Sequence, residues 1–94
     1  MKIKENSRYA HIARWYMRCP DIAMVLGDTI HLSGVSKHAF LQDKKWLAHE
    51  MKHIEQFKKY GFVTFTFLYL LEWIKHGYHK NKFEVEARLA ENNA

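Results

Sequence analysis

Between Asp43 and Gly61 the chain runs without proline or glycine, and this segment restricts the fold more than any other. An Asp before such a run is a favoured N-cap, because its carboxylate accepts from N–H groups that the first turn leaves unpaired. A glycine after it suits the positive φ at which helices commonly end. The spacing predicts one α-helix over 44–60. Within it lies His49-Glu50-Met51-Lys52-His53, the pattern HExxH. Residues four apart on a helix differ by roughly 40° around the axis and about 6 Å along it, so both imidazoles leave the same face and can share one zinc ion. Glu50 sits about 100° round from His49, near enough to act as general base on a metal-activated water without becoming a ligand. With seven histidines in the chain, chance would supply such a motif only roughly 0.04 times.

Catalytic zinc usually takes three protein ligands. No histidine follows at the spacing HExxHxxGxxH, and the third residue after His53 is Gln56. The remaining ligand must come from elsewhere, and Glu84 and Glu86 near the C-terminus are the natural donors. At this point the chain resembles the gluzincin metallopeptidases, in which HExxH on one helix is completed by a Glu on a later helix, often as Glu-x-x-Ala. Glu84-Val85-Glu86-Ala87 matches that form. Residues two apart on a helix point about 200° apart, so only one glutamate can face the metal. Glu84 is expected, with Ala87 on its side allowing close approach to the motif helix.

The stretches Met24 to Leu32 and Leu47 to Gln56 also resemble small bacterial zincin-like domains of unknown function, where a hairpin precedes an HExxHxxQ helix. The resemblance covers about residues 22–91. It implies zinc-dependent hydrolysis of a peptide or protein substrate, with His49, His53 and Glu84 as ligands and Glu50 as catalytic base. By the same analogy an extended peptide would pair along the hairpin's outer strand, with His31 nearby. One departure stands out. Gluzincins often place an Asp four residues after the ligand Glu to accept from a ligand imidazole, and Arg88 occupies that position. A guanidinium cannot accept, so another group must orient the histidine. The alternative reading is a zinc-binding structural or interaction module with little or no turnover.

Around the motif the pattern is α+β. Tyr9, Ile12, Ala13 and Tyr16 keep a helical rhythm over about 7–18, closed by Cys19-Pro20. Ile22–Leu26 and Thr29–Leu32 flank Gly27-Asp28 and predict a two-stranded hairpin, and Ser36 can cap a short turn through Leu41. Phe62–Lys75 is read as an apolar helix, Gly77–Lys82 as a polar link and Phe83–Glu91 as a last helix. Trp46, Phe57, Phe62, Phe65, Phe67, Tyr69 and Trp73 are the expected core. Tyr60, His76, Tyr78 and His79 are candidate donors to a developing oxyanion. The expected architecture is a single minimal zincin-like domain, 1–94, of helices packed with a small hairpin.

Ninety-four residues suffice for one domain and leave any active site as an open groove. Cys19, the only cysteine, excludes an intrachain disulfide and a thiolate zinc cluster, and is expected as a buried thiol. The most apolar window, Phe62 to Ile74, falls short of the roughly 20 residues that span a bilayer. The basic N-terminus lacks the apolar stretch of a secretory signal, so a cytoplasmic protein is expected. Of the net charge of +5, residues 1–18 alone carry +4, from Lys2, Lys4, Arg8, Arg14 and Arg18 against Glu5. A basic module for acidic surfaces or nucleic acid is thus a further alternative. No nucleic-acid motif accompanies the charges, and nucleic acid is not the expected partner.

Overall fold

The hairpin forms where its sequence places it. In the computed structural model, which describes residues 1–94, β2 (Ile22–Leu26) pairs antiparallel with β3 (Thr29–Ser33), Ile22 opposite Ser33 and Leu26 opposite Thr29. A third strand, β1 (Lys2–Lys4), joins β3 in parallel, with Lys2 beside Thr29 and Lys4 beside His31. The sheet order is therefore β1-β3-β2. β3 becomes the central strand, and the free edge on the hairpin side belongs to β2. Five helices complete an α+β fold: α1 (Arg8–Met17), α2 (Lys37–Gln42), α3 (Lys44–Tyr60), α4 (Phe62–Lys80) and α5 (Lys82–Ala90), followed by a 3₁₀ turn at Glu91–Asn93.

Helix ends follow their caps. Ser36 Oγ accepts from Ala39 N at 3.1 Å, and an Asp43 carboxylate oxygen accepts from Trp46 N at 3.0 Å. Gly61, at φ 85°, separates α3 from α4 without a linker. A side chain there would be strained by the positive φ. Gly77 breaks the ladder of α4 at φ 76° and ψ 176°, yet helical structure resumes to Lys80. The polar link expected over 77–82 shrinks to Asn81. That residue is fully buried, and its Oδ1 accepts from Phe83 N at 2.9 Å while its Nδ2 donates to Tyr69 O at 3.1 Å. One side chain thus caps α5 and fastens it to α4.

α3 is the spine of two apolar clusters. Ile30, Leu32 and Phe40 pack with its Ile54, and Phe65 and Phe83 pack with its Phe57. The Phe57–Phe65 and Phe65–Phe83 ring centroids lie 4.6 and 4.9 Å apart, a separation that favours edge-on aromatic contact. The expected core is only partly realised. Trp46, Tyr69 and Trp73 are half-buried, and Phe62 and Phe67 are exposed. Cys19 is half-buried and free. In α1 only Ala10 is buried, while Ile12 and Tyr16 face outward and Tyr9, also exposed, sets its ring edge-on to His31 at 5.7 Å. Polar contacts fix this helix instead: Ser7 Oγ meets His31 Nδ1 at 2.7 Å, and His11 Nδ1 meets Ser33 Oγ. No helix is long and apolar enough to cross a membrane.

Candidate metal centre

One turn of α3 and the first turn of α5 bring three ligand-type side chains together. His49 and His53 leave the same face of α3, with ring centroids 5.1 Å apart. Their Nε2 atoms meet the same Glu84 oxygen, Oε1, at 2.9 and 3.0 Å. The three ligand atoms lie within 4.8 Å of one another. Ligands about 2.0–2.2 Å from a tetrahedral zinc stand roughly 3.3 Å apart, so a few tenths of an ångström of spreading makes room for the ion. Glu86, the other candidate, is exposed and accepts from Gln56 Nε2 at 3.1 Å on the side away from the histidines.

Each imidazole is also gripped from behind. His49 Nδ1 lies 2.8 Å from Glu91 Oε2, and His53 Nδ1 lies 2.9 Å from Gln56 Oε1. Gln56 is itself oriented, because its Nε2 donates to Phe83 O at 3.1 Å. All four ring nitrogens therefore face acceptors. Without a metal both rings would have to carry two protons, beside the carboxylates of Glu84 and Glu91. Replacing the two Nε2 protons by one dication keeps the charge and leaves Nδ1–H on Glu91 and Gln56, the usual support for a metal-bound histidine. The donor set fits zinc. It also resolves the Arg88 departure: Glu91, seven residues after Glu84, provides the acceptor, whereas Arg88 donates to His79 O.

Glu84 is held by a third partner, the Tyr69 hydroxyl, which donates to Oε2. Tyr69 was expected as core. Its ring does pack, half-buried, on Phe65 and Phe83, and its hydroxyl also links α4 to the ligand cluster, while Asn81, through the Tyr69 carbonyl, fixes both to the start of α5. The electrostatics follow from burial and charge. Burial opposes a charge on either imidazole, but Glu84 at both, with Glu91 at His49, outweighs it and raises both above the ordinary histidine range. Burial likewise opposes charging Glu84, yet His49, His53 and Tyr69 hold it well below the usual carboxylate range. Burial pushes Glu50 up to about 8, with Glu84 and Glu91 adding to the effect against His53.

Glu50 is 5% exposed and makes no hydrogen bond to any protein group, while no fully buried side-chain polar atom is left unpaired. Its carboxylate therefore opens into the cleft that it lines. That cleft, about 930 Å³, is lined by His49, Glu50, His53 and Glu84, by all of β2 and by Thr66, Tyr69, Leu70 and Trp73 of α4. Successive strand residues point to opposite faces, so contact with all five residues of β2 means that the cleft runs along the strand's open edge. His31, expected beside the site, lies on central β3 instead. It is buried against Ser7 outside the cleft, and burial followed by Lys4 lowers its pKa.

Of the four expected oxyanion donors, Tyr78 alone lines the cleft. Burial, then the charges of Glu84 and Glu50, pushes its phenol up, so it stays protonated. Tyr60 packs on Phe65 and Phe83, and His76 and His79 are exposed. Glu91 was missed by sequence reasoning, and its one signal is a position seven residues beyond Glu84, on the same helical face. Tyr69 carried no sequence signal that separates it from its aromatic neighbours. No family model, no curated protein and no solved structure matches the chain.

Proposed function

We propose that this chain is a zinc-dependent metallopeptidase in which His49 Nε2, His53 Nε2 and Glu84 Oε1 hold the ion and Glu50 is the general base. The observation that carries the reading is the contrast among the buried site groups. Every ring nitrogen and both Glu84 oxygens are engaged, whereas the Glu50 carboxylate one residue away is buried, unpartnered and open to the cleft. The charge of a dication held beside it would favour the ionised form of Glu50, in which the carboxylate can take a proton at Oε from an attacking water and hand it to a leaving amine. Zinc supplies Lewis acidity when bound, polarising water and carbonyl oxygens alike.

The chain's own residues do the rest. Glu91 and Gln56 keep the imidazoles in the tautomer that presents Nε2, and Tyr69 fixes the carboxylate of Glu84. The open edge of β2 offers backbone groups to an extended peptide, and the Tyr78 hydroxyl is the donor left in the cleft for negative charge developing on a carbonyl oxygen. Glu50→Gln tests the assignment, because it preserves size and helix propensity but cannot accept a proton. Zinc content is expected to stay at the wild-type level while peptide turnover falls about 10² to 10⁴-fold. Turnover equal to wild type removes Glu50 from the mechanism. A zinc-loaded wild type inert across a broad peptide panel points to the non-catalytic zinc module instead.

A further inference from the structure

α1 turns its apolar side outward. Tyr9, Ile12, Trp15 and Tyr16 are 60, 66, 79 and 72% exposed, and at 100° per residue they occupy one arc of roughly 120°. Ala10 lies on the opposite side, and His11, at the edge of the arc, contacts Ser33, and the two seat the helix on the sheet. An outward arc of large aromatic and aliphatic groups marks an interaction surface rather than scattered exposed residues. Cations frame it. Arg8 and Arg18 are exposed, and Lys2 and Lys4 lie exposed on β1, whereas Arg14 lies on the seated side and donates to Pro20 O at 3.4 Å. α1 has no acidic residue, and Glu5 just before it already accepts from Lys37 N at 2.9 Å.

α4 repeats the pattern. Val63, Phe67, Leu70 and Ile74 are exposed within an arc of roughly 60°. The one acid of this helix, Glu72, is occupied by Lys82 N at 3.1 Å. Both helices border the metal cleft, α1 through Ala13 and Met17 and α4 through Leu70 and Trp73.

We propose that the outward arc of α1, together with the α4 stripe, docks this protein on the surface of an anionic lipid bilayer. Tyr and Trp rings favour the headgroup level, where an apolar body and a polar tip are both satisfied. Ile12, Phe67 and Ile74 supply the aliphatic and aromatic anchor below, and Arg8 and Arg18 meet lipid phosphates. Charge decides between occupants. A second copy would set the same cations face to face, with no acid on α1 to pair them, and nucleic acid has no use for the aliphatic stripe. Docking does not depend on the metal reading, since neither arc contains a proposed ligand or the base.

Co-sedimentation with vesicles of phosphatidylcholine and phosphatidylglycerol in equal parts, against vesicles of phosphatidylcholine alone, tests the proposal. Wild type is expected to sediment with the anionic vesicles, to be released by high salt and to behave alike with and without zinc. At about tenfold per 1.4 kcal/mol and about 1 kcal/mol per cation, Arg8→Ser with Arg18→Ser should weaken binding about thirtyfold. Ile12→Ser with Trp15→Ser should weaken it at least about tenfold, with circular dichroism unchanged because both side chains are exposed. Equal affinity for the two vesicle types, no binding by wild type at low salt, or a dimer dispersed by Trp15→Ser in a protein that ignores vesicles would each overturn it.

Discussion

Replacing Glu91 by alanine removes the acceptor behind His49 without touching a proposed ligand. Glu91 Oε2 lies 2.8 Å from Nδ1, and its side chain is 32% exposed. A hydrogen bond to a charged group is worth about 1.5–3 kcal/mol. Water reaches this position and replaces part of the loss, which leaves about 1–1.5 kcal/mol. At 1.4 kcal/mol per tenfold, zinc binding should weaken about tenfold, the lower end of what partners of ligand histidines usually contribute. Glu91→Gln keeps an acceptor oxygen and should lose only about two- to threefold. Arg88→Ala, whose guanidinium reaches His79 O rather than a ligand, should leave affinity unchanged. Competition against a chromophoric chelator at one pH, with circular dichroism as the check on folding, measures all three. Glu91→Ala within twofold of wild type, or Arg88→Ala as weak as Glu91→Ala, refutes the assignment of Glu91 as the group that orients His49.

Tyr69→Phe removes the hydroxyl on Glu84 Oε2 and should weaken zinc several-fold to about tenfold while the ring still packs on Phe65 and Phe83; the same chelator competition reads it. Because His49 and His53 are raised above the ordinary histidine range, zinc must displace their Nε2 protons, so affinity should rise as pH rises through neutrality and fall on acidification. Calorimetry in buffers of different ionisation heat should show proton release on binding, up to two per ion. For stability, Phe40→Ala should cost about 3–5 kcal/mol, since Phe40 is 0% exposed, whereas Phe67→Ala, at 61% exposure, should change urea unfolding by no more than about 0.5 kcal/mol.

Local signals placed most elements to within a residue or two. Asp43 and Gly61 bracket α3, and the hairpin runs from Ile22 to Ser33 about its Gly27-Asp28 turn. These are short-range effects of capping and turn chemistry, which a sequence carries in adjacent positions. β1 escaped because three residues with a single apolar side chain, Ile3, have no periodicity of their own. Its strand character comes from pairing with β3 across more than twenty intervening residues. That pairing also moves the open edge from β3 to β2, and with it the side of the hairpin that meets the cleft. Periodicity in α1 showed which residues share a face but not which way the face points. The seating of Ser7, Ala10 and His11 on the sheet turns it outward.

The candidate ligands were legible because they sit at fixed spacings, four apart on α3 and at the head of a short helix for Glu84. The groups that hold them were not. Tyr69 and Asn81 act through contacts between α4 and α5 that exist only once Gly77 has broken the helix and Asn81 has capped the next one. Glu91 depends on the same docking. A 94-residue chain thus completes its candidate site with side chains that pack the helices together and hold the candidate ligands at once.

Zinc stoichiometry across a set of ligand variants tests the central claim most directly. After equilibrium dialysis against buffered zinc and elemental analysis, wild type and Glu86→Gln should each hold about one ion per chain, His49→Ala and His53→Ala should hold none, and Glu84→Gln should be strongly depleted. Equal zinc in wild type and both histidine variants, or zinc lost in Glu86→Gln and kept in Glu84→Gln, would contradict the site described.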